Sequence, residues 1–189
     1  MKRLAFLVAL VAAALSITSL ATAAGGKLRC FADAPATCTL NSDGSATTNT
    51  TSGGDAGVYL TNGKSTGGFA LASVDYSFTY SCADASDTTS CVGGGAPRWS
   101  IPINTGGDPK DAQQVYAFLD ANGCGDNGSV STTDTNCSVT LNTGGSWANW
   151  DDFAAANPAY TIASALPFVI ADVPTGGLIT VSDVNSTKS

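Results

Sequence analysis

The sequence contains no histidine and no glutamate, and Met1 is its one methionine. Without histidine, a catalytic triad or dyad with an imidazole base is impossible, and zinc sites built on histidine are excluded. All fifteen acidic residues are therefore Asp, a residue that favours turns and helix caps, whereas Glu favours helix interiors. The composition predicts a loop-rich β-protein.

The N-terminal segment has the three parts of a secretory signal peptide. Lys2 and Arg3 precede an apolar run at residues 4–20, and small residues follow at 21–24. This order predicts a signal peptide of residues 1–24 that is cleaved at an Ala-x-Ala site near Ala23 or Ala24. The run is short for a retained membrane anchor. We expect a secreted, extracellular protein (periplasmic in a two-membrane bacterium) with no membrane span in the mature chain.

The charge of the mature chain limits its partners. Removal of residues 1–24 leaves 165 residues, with six basic residues against fifteen acidic ones and a net charge of −9. That length is enough for one domain with a core. Such a surface repels phosphates and anionic lipids and attracts cations, so we expect no nucleic acid partner. Simple solubility also accounts for the charge.

Six cysteines in an exported chain predict disulfide bonds. Their grouping into three close pairs favours three short loops, although the sequence alone permits other pairings. A metal cluster would be expected to show CxxC spacing, which the chain lacks. The favoured pairs are Cys30–Cys38, Cys82–Cys91 and Cys124–Cys137.

The distribution of apolar residues predicts an all-β fold. Residues 74–82 alternate strictly between apolar and polar, which is typical of a half-buried antiparallel strand. Residues 115–119 are apolar on both faces, as in a strand covered on both sides. Pro102 lies in a strand near Trp99 and lacks an N–H group, which predicts an edge strand. Further short segments lie at 58–60, 69–72, 130, 139–141, 160–163, 168–171 and 178–184.

These segments, with Gly- and Pro-rich turns between them, predict an antiparallel β-sandwich, jelly-roll-like, or a barrel over residues 58–189. One short helix is expected, with Asn149 as its N-cap, Asp151 and Asp152 in its first turn, and an end at Asn157. Residues 25–57 are poor in large apolar groups, and we expect a flexible N-terminal segment behind a Cys30–Cys38 loop.

A polar loop at residues 120–127 offers a candidate calcium site. Asp120, Asn122 and Asp126 place side-chain oxygens on a loop whose glycines let the backbone turn, and calcium prefers six to eight oxygen ligands on flexible loops. The loop departs from the EF-hand pattern, because a glycine comes early, Cys124 takes the third ligand position and the final Glu is absent. A simple Gly- and Asn-rich turn is the alternative explanation.

Aromatic residues offer flat faces for sugar rings, by analogy with other secreted β-sandwiches. Among Trp99, Trp147, Trp150, Tyr59 and Tyr116, we expect Trp99 and Trp150 to lie in the core. Packing explains Trp147 least, since it lies in a Gly-Gly-Ser loop. We therefore predict Trp147 and Tyr116 as ligand-binding residues.

The sequence favours a non-catalytic role in binding or in surface structure. The expected partner is an extracellular glycan or another surface protein, with calcium as a candidate cofactor. We assign no catalytic residue. The alternative is an Asp-dependent extracellular glycoside hydrolase, in which two carboxylates flank the scissile bond. Asp75, Asp151 and Asp152 are the first candidates for such a pair.

Overall fold

The computed structural model describes residues 26–61, 66–82, 96–106, 114–172 and 177–189. In these ranges the chain forms two antiparallel β-sheets and one α-helix, which confirms the predicted all-β sandwich. Within the same ranges, no helix is long and apolar enough to span a bilayer. The predicted signal peptide, residues 1–24, lies outside them.

The described ranges contain thirteen strands, a short 3₁₀ helix (Leu71–Ser73) and the helix α1 (Trp150–Ala156). The strands are β1 (Lys27–Ala32), β2 (Thr37–Leu40), β3 (Ala46–Asn49), β4 (Ala56–Thr61), β5 (Val74–Cys82), β6 (Arg98–Asn104), β7 (Val115–Asp120), β8 (Ser129–Ser131), β9 (Val139–Leu141), β10 (Ser146–Trp147), β11 (Thr161–Ile162), β12 (Phe168–Ala171) and β13 (Leu178–Lys188). The larger sheet has the order β1-β4-β12-β6-β7-β9-β10, with β11 also paired to β6. The smaller sheet has the order β2-β3-β13-β5-β8.

The core lies between the two sheets, and β5 shows how the sequence builds it. Val74, Tyr76, Phe78 and Tyr80 are buried, and they alternate with more exposed polar residues, as predicted. Trp99 of the larger sheet is fully buried. Its ring lies 5.3 Å from that of Tyr76 and 6.2 Å from that of Phe78, so these edge contacts join the two sheets.

The helix follows its predicted signals. Asn149 Oδ1 accepts a hydrogen bond from Asp152 N at 2.9 Å, which satisfies a free N–H group of the first turn. Trp150, Phe153 and Ala154 are buried against the sheets. Trp150 Nε1 donates to Leu71 O at 2.9 Å, so the helix is tied to the 3₁₀ helix. Residues 69–72, predicted as a strand, instead contribute a single β-bridge and the start of this 3₁₀ helix.

The structure differs from the prediction in residues 25–57. This segment forms β1, β2, β3 and the start of β4, which lie in both sheets. Large apolar groups are scarce in this segment, but its small side chains are buried: Ala46 is 0% exposed and Thr48 is 1% exposed. Threonine also favours extended backbone, and the strand that contains Thr47 and Thr48, β3, pairs with β13.

The predicted disulfides Cys30–Cys38 and Cys124–Cys137 are both present. Cys30 lies in β1 of the larger sheet and Cys38 in β2 of the smaller one, so this bond fastens the two sheets together at one edge. Cys82 is also disulfide-bonded. Its predicted partner, Cys91, lies outside the described residues.

The prediction that Pro102 marks an edge strand is wrong. Pro102 belongs to β6, which lies inside the larger sheet between β12 and β7. Its carbonyl accepts a hydrogen bond from Ala163 N at 2.8 Å, on the side away from β7. The N and C=O groups of one strand residue point to the same side. The missing N–H therefore faces the gap between the β12 and β11 pairings, where β6 loses no ladder bond.

Candidate functional site

The face of the larger sheet that points away from the core carries a row of side chains across seven strands. Residues directly opposite each other on paired strands point to the same face. The inward positions on either side of this row, such as Val58, Trp99 and Leu119, are fully buried. The row consists of Arg29, Tyr59, Phe168, Ser100, Phe118, Thr140 and Ser146.

A second row on the same side consists of Phe31, Gly57, Ile170, Arg98 and Asp120. Tyr116 lies two residues before Phe118 on β7 and therefore shares this side. Five partly buried aromatic rings lie here together, and we call them the aromatic face. They are Phe31, Tyr59, Tyr116, Phe118 and Phe168.

The rings of the aromatic face form one continuous set of contacts. The ring centroid of Phe31 lies 6.4 Å from that of Tyr59 and 5.7 Å from that of Phe168. The Phe168 centroid lies 5.7 Å from Tyr116, and the Tyr116 ring is parallel to Phe118 at 6.5 Å. Aromatic pairs at such distances stabilise each other by about 0.5–1.5 kcal/mol beyond the area they bury. The set is therefore held in place by its own contacts.

Gly57 leaves room for the Phe31 ring beside β4. A Cβ atom built on Gly57 would lie 2.6 Å from Phe31 Cζ, and it would also collide with the backbone carbonyl of Val169. Gly57 is buried although it is on the outer side. The ring of Phe31 therefore occupies the space that a side chain on β4 would otherwise fill.

Asn142 fixes the backbone of β7 at Tyr116. The pairing of β7 with β9 ends at Ala117 and Leu141. Asn142 extends it, because its backbone N donates to Tyr116 O at 3.1 Å and its Oδ1 accepts from Tyr116 N at 3.0 Å. This pair of bonds holds Tyr116 in the strand conformation that points its ring outward.

The guanidinium of Arg98 lies against the aromatic face. The guanidinium carbon of Arg98 is 4.9 Å from the centre of the Phe118 ring, within the range of a cation–π interaction. Both terminal nitrogens of Arg98 donate to the two carboxylate oxygens of Asp172, at 2.7 and 2.6 Å. Asp172 follows β12, the neighbour of β6, so the two strands position the pair. This bidentate arrangement fixes the guanidinium plane beside the rings.

The two predicted ligand-binding aromatics lie on opposite faces of the sheet. Tyr116 belongs to the aromatic face, whereas Trp147 is opposite Val139 on the inward side. The Trp147 ring is half-buried, and its centroid lies 4.8 Å from that of Phe153. It also covers Gly145, where a Cβ would lie 2.8 Å from the indole. The structure thus gives Trp147 a packing partner that the sequence did not reveal.

The predicted calcium site lies at the end of β7, where Asp120 is the last strand residue, and in the following turn, which holds Asn122 and Asp126. Asp120 Oδ1 accepts a hydrogen bond from Gly123 N at 2.7 Å, and Asp126 Oδ1 accepts one from the Tyr80 hydroxyl at 2.8 Å. Burial raises the pKa of Tyr80, and its hydrogen bond to Asp126 raises it further, so this hydroxyl remains a donor. Asn122 is exposed. These bonds are those of a stable turn, and each occupies one carboxylate oxygen; calcium binding here stays a prediction.

The candidate acids of a glycoside hydrolase lie on different elements. Asp75 is on the outer side of β5 in the smaller sheet, opposite Thr187. Asp151 and Asp152 are exposed in the first turn of α1. Asp152 also accepts a hydrogen bond from the Asn149 side chain at 3.2 Å. Their place at the helix N-terminus accounts for both charges, because the helix dipole favours acids there.

Sequence reasoning found Tyr59 and Tyr116 but missed Phe31, Phe118, Phe168 and Arg98. The available signal was in β7, where Tyr116 and Phe118 alternate with the buried residues Ala117 and Leu119. The pattern predicts a strand that is covered on both sides, whereas the second face of β7 is partly exposed and aromatic. Comparisons with protein-family models, curated proteins and solved structures gave no match to this chain. A function must therefore be argued from the residues themselves.

Proposed function

We propose that this protein is a secreted, non-catalytic glycan-binding protein and that the aromatic face is its binding surface. One observation carries the proposal: five partly exposed rings contact each other on one outer sheet face, beside a guanidinium that is fixed by two hydrogen bonds. Secretion is supported by the N-terminal sequence and is compatible with the two disulfides.

The chemistry of sugars favours such a surface. One side of a pyranose ring presents C–H groups with a slight positive charge, and the face of an aromatic ring is slightly negative. Hydroxyl groups at the sugar edge need polar partners, which the Tyr116 and Tyr59 hydroxyls and the Arg98–Asp172 pair supply. A few polar groups among many aromatic ones are typical of ligand sites.

The dimensions suit a chain of sugars rather than a single one. From Phe31 on β1 to Phe118 on β7, the aromatic face crosses five strands of the larger sheet. At about 4.8 Å between neighbouring strands, it is about 19 Å long. The rings lie on the sheet surface, so they can contact several units of an extended polysaccharide from one side.

The test is binding of the oxidised mature protein to a panel of soluble polysaccharides, measured by affinity electrophoresis and calorimetry. Tyr116→Ala should lower the affinity roughly twofold to tenfold, the equivalent of one aromatic contact. Leu178→Ala is the matched control, because Leu178 is 40% exposed on the smaller sheet and its loss should change nothing. Each variant is first checked by thermal unfolding.

Two outcomes would contradict the proposal. One is that the wild-type protein binds no polysaccharide in the panel. The other is that Tyr116→Ala binds as tightly as the wild type while Leu178→Ala weakens binding, which would move the site to the smaller sheet. Capture of a surface protein by the same face would favour the alternative partner class.

A further inference from the structure

We infer, building on the proposed glycan-binding function, that the polysaccharide recognised is an acidic one, whose carboxylate or sulfate groups pair with Arg29 and Lys27 at the β1 end of the aromatic face. The inference begins with how the chain distributes its few positive charges. The sequence has eight Lys and Arg residues against fifteen acids.

Four basic residues lie in the described ranges: Lys27, Arg29, Arg98 and Lys188. Three of the four are on the outer side of the larger sheet. Arg29 is directly opposite Tyr59, Lys27 precedes it by two residues on the same side of β1, and Arg98 contacts Phe118. Within the described ranges, most of the basic side chains therefore lie on the same side of the sheet as the aromatic rings.

The three cations differ in whether a carboxylate of the protein pairs with them. Arg98 is held by Asp172 in a salt bridge and contributes a fixed donor plane. Lys27 and Arg29 are exposed. In the part of the chain that the structure describes, no carboxylate forms a salt bridge with either of them. An exposed, unpaired guanidinium beside an aromatic ring can pair with a ligand anion without first breaking a bond within the protein.

The acids elsewhere on the chain do not cancel this local charge. At physiological salt, exposed charges farther apart than about 8 Å are largely screened from each other. Arg29 and Tyr59 are on adjacent strands about 4.8 Å apart, so an anion on a sugar stacked at Tyr59 lies within reach of Arg29. Arginine is also the side chain best suited to carboxylate and sulfate, because its planar donors pair bidentately with two oxygens.

The experiment compares three probes: a polyuronate, a sulfated polysaccharide and a neutral glucan. Binding is measured with a chelator present, which excludes bridging by calcium. The variant is Lys27→Gln/Arg29→Gln. The matched control is Lys188→Gln, which removes a positive charge from the other sheet at the end of β13. All changed positions are exposed, so the fold should be retained.

We expect the wild type to bind an acidic probe more tightly than the neutral one, with an affinity that falls as salt is raised. The double variant should lose up to about fivefold per charge for the acidic probe, the scale of an exposed ion pair. It should keep the wild-type affinity for the neutral glucan, and Lys188→Gln should behave as the wild type. Whether the polyuronate or the sulfated chain responds identifies the anionic group.

Two results would overturn the inference while leaving the proposed function intact: equal binding of neutral and acidic probes without salt dependence, or a double variant that binds the acidic probes like the wild type. The expected twofold to tenfold weaker binding of Tyr116→Ala would still support the aromatic face in either case. Absence of polysaccharide binding in the wild type would instead refute the proposed function itself.

Discussion

Replacement of Gly57 by alanine separates what local propensity predicts from what the packing requires. Gly57 lies inside β4, and glycine in a strand is ordinarily less favourable than alanine by roughly 0.5–1 kcal/mol. Propensity alone therefore predicts that Gly57→Ala stabilises the protein. The structure predicts the opposite, because the new Cβ would lie 2.6 Å from Phe31 Cζ and would collide with Val169 O.

The two contacts differ in how they can relax. The Phe31 ring can rotate away, but the Val169 carbonyl belongs to β12, which is paired with β4 through four residues. Inserting a methyl group into such a site costs about 1–3 kcal/mol. The gain in strand propensity offsets part of this cost, so we expect Gly57→Ala to lower the free energy of unfolding by about 1–2 kcal/mol. For a chain of this size that corresponds to a midpoint lowered by about 2–8 °C.

The assay is thermal and urea unfolding of the oxidised protein, in a cycle with Phe31→Ala. In the Phe31→Ala background the ring contact is absent and the carbonyl contact remains, so Gly57→Ala should cost less but still destabilise. The displaced ring should also weaken polysaccharide binding in the single variant. A raised or unchanged midpoint for Gly57→Ala would refute the reasoning.

Two further predictions concern the core and the helix. Burial raises the pKa of Tyr76 to about 12, so only the unfolded chain loses this proton just above pH 10. The contribution of this group to the free energy of unfolding should therefore be fully present below about pH 10, and the free energy of unfolding should fall by up to about 3 kcal/mol by pH 12. The fall should be smaller in Tyr76→Phe. Urea unfolding at each pH measures both. Asn149→Ala should lower the unfolding free energy by about 1 kcal/mol, because Asp152 N loses its acceptor. Asn149→Ser should retain most of the stability, and equal losses in both variants would contradict the capping role.

The elements that the sequence predicts well are those whose signal is local. The alternation in β5 identifies its buried face without knowledge of any partner strand, and the structure buries the same residues. The cap at Asn149 and the stop at Asn157 likewise depend on neighbours within one or two turns. Disulfide pairs close in sequence belong to this class, and Cys30–Cys38 and Cys124–Cys137 are present as predicted.

The local sequence does not reveal elements whose burial depends on a strand far away in the chain. Residues 25–57 are polar enough to favour a flexible segment, yet β3 is held by β13, which lies about 130 residues later in the chain. Thr48 Oγ1 donates to Ile179 O across that pairing, and Ala46 fills space that only the opposite sheet defines. Pro102 is a second example, because the larger sheet can accommodate a proline in β6 only where two other strands stop pairing with that strand.

The aromatic face is the clearest case of information carried by register. Phe31, Tyr59, Phe168 and Phe118 come from four strands, and each looks like an ordinary apolar residue within its own segment. A shift of one residue in any pairing would turn that strand's aromatic side chain into the core. The observed register places all four on the outer side, while the inward positions of three of these strands are already filled by Val58, Val169 and Leu119. Because the core is filled without them, the outward rings are not required for sandwich packing, and this supports the ligand-binding role that we propose for their alignment beside Arg29 and Arg98.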